Sequence, residues 1–254
     1  METKIDNTIQ NYNVTFWNMV MKYDTTNTNI LRKIIHSFTV ANNCFDIASY
    51  FGLSKKEREF AYLLGLFHDI GRFEQWKLYQ TFFDKKSVDH GDLGAEIIEK
   101  MPKNALNLSE NDKKIMVEAI KYHTKEYNGK DEKIAFYNSI IKNADAYSNI
   151  LTTANGTQQL FVKGDGFTKE ILNDFLNQKK LLGHLPNSNL DRILMMTANC
   201  YYVNLEFLRK EILDKKYIDS IFEVYSVYLN ENDKKVYRDA IEHLKQNYLN
   251  KKTC

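Results

Sequence analysis

Leu63-Leu-Gly-Leu-Phe-His-Asp-Ile-Gly-Arg-Phe-Glu-Gln75 sets an imidazole and a carboxylate side by side at the end of an apolar run. Just upstream, Ser54-Lys-Lys-Glu57 has the form of a capping box, and Phe60, Leu63, Leu64 and Phe67 follow at helical spacing. The spacing predicts a helix that stops near Gly71 with His68 and Asp69 in its last turn. Both polar groups are costly to leave unpaired there. A buried carboxylate either takes up a proton or finds a cation, and a divalent metal is the strongest compensating cation. A neutral imidazole beside it adds nitrogen ligation without adding negative charge. The plainer alternative has His68 capping the helix C-terminus while Asp69 binds Arg72 or a backbone amide of the next turn, and the dipeptide alone does not separate the two.

Outward from this stretch the pattern stays helical. Leu31, Ile34, Ile35, Phe38, Ala41, Phe45 and Ala48 imply a helix from Ile30 to Phe51 that ends at Gly52 and carries His36. Residues 72–89 read as a short helix and then a loop leading to His90. A helix through Leu93, Ile97 and Ile98 ends before Pro102, and one N-capped by Ser109 leads through Ile115 and Ile120 to His123. After Gly129, Ile134 to Ile150 suggests a longer helix with Asp145 in its middle. The turn Gly164-Asp-Gly166 precedes three or four further amphipathic helices, including Leu190 to Ile212 and Asp233 to Tyr248. No strand alternation or internal repeat stands out. The expected class is all-α, organised as residues 1–155 with the candidate site and an extension, 156–254, packed on it.

Composition narrows the function classes. In 254 residues, 43% hydrophobic and 27% charged, a full core can be buried without disulfides, and two prolines leave room for long helices. Cys44, Cys200 and Cys254 are far apart with no CxxC pair, which speaks against a disulfide framework or thiolate zinc site and for a reducing compartment. The start METKIDNTIQ lacks the form of a signal peptide, and the longest strongly apolar stretch, Phe60 to Phe67, is too short to span a bilayer, so the expected location is the cytoplasm with no membrane partner. A formal charge of +2, with lysines scattered among acids, disfavours a nucleic-acid polymer as partner but leaves room for a compact phosphate-bearing molecule.

Four of the six histidines form a series with two aspartates: His36, His68-Asp69, His90, His123 and Asp145, each on or beside an apolar helix. In order and context this resembles the HD-domain superfamily in its six-ligand form. His90 in Asp-His-Gly-Asp-Leu-Gly-Ala and His123 in Ala-Ile-Lys-Tyr-His match the pair that distinguishes two-metal from one-metal members, and Asp145 in Lys-Asn-Ala-Asp-Ala-Tyr looks like the closing aspartate. The resemblance covers about residues 30–150. It implies an HD-type helical bundle in which His36, His68, Asp69 and Asp145 hold one divalent ion while His90 and His123 hold a second, Asp69 bridging. Were His90 and His123 ordinary core or surface histidines, one ion would remain.

Two such ions lower the pKa of a bridging water, so that hydroxide can attack phosphorus, and neutralise phosphoryl charge. The implied activity is a metal-dependent phosphohydrolase cleaving a phosphomonoester or phosphodiester of a small molecule, a nucleotide among the candidates, with iron, manganese or another first-row metal. A cation at the phosphate oxygens is expected, Arg72 first and Lys125 second, each with a solvated surface charge as its alternative. Phe73, Trp76, Tyr79, Phe82 and Phe83 could stack a flat group, although core packing is the better reading of most of them. The same caution covers Tyr122 and Tyr147. Two other functions compete: an oxygenase of the same superfamily using the ligands for two irons, and a nucleotide-binding regulatory module without turnover. Homo-oligomerisation stays open.

Overall fold

Ser54 caps the helix that its spacing announces: its backbone amide donates to the Glu57 carboxylate at 2.9 Å and its hydroxyl accepts from the Glu57 amide at 3.4 Å. In the computed structural model, which describes residues 7–251 apart from 103, 159, 161, 163, 180 and 182, no strand occurs among the described residues, and the protein is all-α. Cys254 and the first six residues of METKIDNTIQ lie outside the described residues. No helix among those described is long and apolar enough to cross a membrane. By its internal contacts the chain divides into two compact units, 1–145 and 146–254.

The first unit contains α1 (Asn7–Val20), α2 (Thr28–Tyr50), α3 (Lys55–Phe67), α4 (Ile70–Tyr79), α5 (His90–Glu99), α6 (Glu110–Lys121) and the start of α7 (Glu132–Ala154). Its centre is aromatic. Phe16, fully buried, meets Phe38 and Phe67 at 5.5 Å and Phe73 at 6.0 Å in edge-on contacts, tying α1, α2, α3 and α4 together. Two glycines set how closely the site-bearing helices approach. A Cβ at Gly65 would stand 2.8 Å from Ala41 Cα, Val40 O and Cys44 Sγ, so only glycine lets α3 lie this close to α2. A Cβ at Gly71 would collide with His90 O and stand 2.7 Å from Gly94 N, which fixes the crossing of α4 on α5. Amide side chains hold α7: Asn43 Nδ2 donates to Ala144 O at 3.2 Å and Asn138 Nδ2 to Ala119 O at 3.0 Å.

One boundary differs from expectation. α3 ends at Phe67, His68 is its C-cap, and Asp69 leaves the helix at φ −101°, ψ 16° before α4 begins at Ile70. The pair therefore forms a corner between two helices instead of occupying a last turn.

The second unit contains α8 (Lys169–Leu176), α9 (Asn189–Thr197), α10 (Glu206–Asp214), α11 (Tyr217–Tyr225) and α12 (Glu231–Leu244), the last running into a π-helical turn, Lys245–Leu249. The expected single helix Leu190 to Ile212 is two helices joined by a 3-10 turn, Ala198–Tyr202. Tyr201 and Val203 are both buried, and two residues on a helix diverge by about 200°. Extended backbone at Val203 resolves the conflict. Buried Asp191 and Asp233 pin the turn around Gly166, accepting from Thr168 N and Gly166 N, each at 2.7 Å.

Candidate metal centre

Asp69, only 3% exposed, is the centre of the site. Its two oxygens face different imidazoles. Oδ2 stands 3.5 Å from His68 Nε2 and 3.8 Å from His36 Nε2, while Oδ1 stands 3.2 Å from His90 Nε2 and 3.7 Å from His123 Nε2. Asp145, half-buried, adds Oδ1 at 2.9 Å from His36 Nε2 and 3.9 Å from His68 Nε2. The atoms of His36, His68 and Asp69 lie within 4.8 Å of one another, and so do those of Asp69, His90 and His123. Ligand atoms each about 2.1 Å from a common ion stand roughly 3.0–3.4 Å apart, so these separations are close to those of a coordination sphere.

Local structure aims the ring nitrogens. His68 follows α3 and His123 follows α6, where helix-end carbonyls lack partners. His68 Nδ1 donates to Gly65 O at 2.7 Å and His123 Nδ1 to Ile120 O at 2.6 Å. His90 opens α5, and its Nδ1 donates to the Asp84 carboxylate at 2.7 Å. Carbonyl and carboxylate oxygens only accept, so these three rings carry the proton on Nδ1 and, when neutral, leave Nε2 as a bare lone pair, as metal-binding histidines do. His68 thus caps its helix and presents a ligand atom at once.

The chemistry of this donor set fits a cation. His68 Nε2 is fully buried without a hydrogen-bond partner. Nε2 of His90 and of His123 face each other at 3.1 Å, a repulsive contact between lone pairs unless a proton or a positive ion is shared. Burial pushes the His68 imidazole down to about 3 despite Asp69 and Asp145, keeping it neutral. For Asp69 burial works upward, but the Lys33 ammonium beside it holds the carboxyl well below the usual range. Asp145 is held down likewise, burial being outweighed by its hydrogen bond with His36 and by His68. Ionised acids beside the neutral His68 imidazole are what a divalent cation requires.

Both expected cations are held in ion pairs. Arg72 Nη1 donates to Phe82 O at 2.6 Å and to Gln75 Oε1 and Asp84 Oδ1 at 2.7 Å, and its buried Nε, without a hydrogen-bond partner, is 3.7 Å from Asp69 Oδ1. Lys125 is turned to Asp92 at 2.7 Å and Asp89 at 3.7 Å. Sequence reasoning missed Lys33, whose ammonium is 2.6 Å from Asp69 Oδ2. Its signal was the i, i+3 spacing to His36 on one helix face. The aromatic set divides: Phe73 is fully buried core, Tyr79 is exposed, and Phe82, paired with Trp76 at 4.9 Å, lies under Lys33 at 5.5 Å. Tyr122 packs on Tyr127, and Tyr147 belongs to the second unit, 6.3 Å from Tyr217. Asp84 and Gln75 also went unrecognised in the sequence.

Comparison with known proteins gives one family. Residues 34–150 match the family model described as HD domain, and this range encloses all six residues of the series. No curated protein and no solved structure matches the chain. The six residues that gather around Asp69 all lie in the matched range, and residues 34–150 of this chain are similar to the HD-domain family.

Proposed function

We propose that the HD domain is a metal-dependent phosphohydrolase acting on a phosphomonoester or phosphodiester of a small molecule, with a nucleotide among its candidate substrates. The observation carrying this reading is the division of one buried carboxylate between two imidazole pairs, Asp69 Oδ2 toward His36 and His68 and Oδ1 toward His90 and His123. His36, His68, Asp69 and Asp145 would hold one ion, and Asp69, His90 and His123 a second. Iron, manganese or another first-row divalent ion, when bound, supplies Lewis acidity toward a phosphoryl oxygen and acidifies a water.

The chain's own residues do the rest. His68, His90 and His123, each with Nδ1 donating elsewhere, turn Nε2 inward, His36 Nε2 stands beside Asp145, and Asp69 and Asp145 supply the negative charge that retains cations. Lys33, 22% exposed in its side chain, balances Asp69 in this structure and is the ammonium that would meet a phosphate oxygen of the substrate. Arg72 adds positive potential while bound to Asp84. HD domains commonly serve hydrolases, and cations around the acids favour an anionic substrate.

The test is a screen of phosphate esters and nucleotides with manganese-loaded protein under anaerobic conditions, beside Asp69→Ala. Phosphate or a phosphorylated fragment should be released by the wild type alone, and Asp69→Ala should lose metal and activity together. A metal-replete, active Asp69→Ala protein would refute the scheme. Iron-dependent oxygen consumption without hydrolysis would assign oxygenase chemistry instead.

A further inference from the structure

Between α4 and α5 the chain runs through an irregular stretch whose 3-10 turn, Asp84–Lys86, carries the one acid of that stretch tied to the site. Both oxygens of Asp84 are used. Oδ2 accepts from His90 Nδ1 at 2.7 Å, and Oδ1 accepts from Arg72 Nη1 at 2.7 Å and Gln75 Nε2 at 2.8 Å. Gln75 is completely buried, accepts from Arg72 through Oε1 at 2.7 Å, and reaches Ser87 Oγ at 2.8 Å and Val88 O at 2.9 Å. Two side chains of α4 therefore grip one carboxylate and, through it, one imidazole.

The two sides of the centre differ in charge. Around His36 and His68 stand Asp69 Oδ2 and Asp145, two carboxylates. Facing Nε2 of His90 and His123, among the described residues, is one acid oxygen, Asp69 Oδ1, and it is shared. His68 and His123 give Nδ1 to neutral backbone carbonyls, whereas His90 gives it to an ion. A carboxylate behind an imidazole fixes its tautomer and orientation and makes Nε2 a stronger donor. We propose that Asp84, held by Arg72 and Gln75, is the positioning residue that makes the His90–His123 side able to hold the second ion. Resting on the two-ion centre proposed above, this also gives Arg72 a role other than contact with substrate.

The experiment is calorimetric titration of chelator-stripped protein with manganese, wild type beside Asp84→Asn, which keeps shape and removes charge. Paramagnetic resonance of the loaded proteins reports spin coupling between paired ions. Two ions should bind the wild type. In Asp84→Asn the first should bind as before, which also reports an intact fold, while the second weakens about 10–100-fold and the coupling fades at limiting metal. Asp84→Ser gives the same readout should Asp84→Asn not fold. An unchanged second ion, or equal weakening of both, overturns the proposal. A wild type holding fewer than two ions overturns it together with the two-ion centre. The expected binding pattern without phosphate release supports the role of Asp84 and sinks only the proposed reaction.

Discussion

Replacing Gly71 with alanine tests how helix packing builds the site. The added methyl would meet the His90 carbonyl oxygen and Gly94 N, the latter at 2.7 Å. Ordinary contact begins near 3.4 Å, so α4 and α5 must part by about 0.7 Å or more. Both obstacles are backbone, and no rotamer change relieves them. Overpacking of this kind costs about 1–3 kcal/mol, with the upper part of that range expected here. The helix preference for alanine over glycine returns up to about 1 kcal/mol, leaving a net loss of roughly 1–2 kcal/mol. The same displacement moves His90 away from Asp69 Oδ1, now 3.2 Å from its Nε2, and loosens the side of the centre that it shares with His123. Denaturant unfolding of stripped protein measures the first effect, and manganese titration the second. An alanine variant with unchanged stability and two undisturbed ions would refute the reasoning that this crossing positions His90.

His123→Ala should deplete one ion more than the other by elemental analysis, and equal metal content before and after would speak for a one-ion site. Metal-free protein should also lose stability in acid. His68 titrates at about 3 when folded against 6.5 for an unperturbed imidazole, so between these values the unfolded chain binds more protons and stability falls as pH falls. The slope from this group is at most about 1.4 kcal/mol per pH unit, and urea unfolding of chelated protein at pH 4.5 and 6.5 should show it; equal stability at both would contradict a buried neutral His68.

The six-residue series was legible because each member ends, opens or rides on an apolar helix, and such helices announce themselves locally. Ser54 and Ser109 marked their starts through contacts three residues away. What the sequence hid depends on partners distant along the chain. Lys33 reads as one more charge on a helix face until α3 brings Asp69 to it. Asp84 lies in a stretch with no period, and its meaning comes from Arg72, Gln75 and His90 together. Arg72 stands beside Asp69 at 3.7 Å while Lys125 turns to Asp92, and the acid partners of both, Asp84 and Asp92, were not foreseeable from spacing. Gly71 reads as a helix stop and Gly65 as an ordinary position inside an apolar helix, whereas both permit close helix crossings. The helix expected from Leu190 to Ile212 is interrupted by a 3-10 turn and extended backbone at Val203, where Tyr201 and Val203 are both buried.

Asp69 is proposed to be flanked by paired cation sites. Anomalous diffraction from crystals grown with manganese would test it most directly. Two peaks are expected, one among His36, His68 and Asp145 and the other between His90 and His123, with one oxygen of Asp69 toward each. No peak at Asp69, or ions bound only elsewhere on the chain, would contradict it.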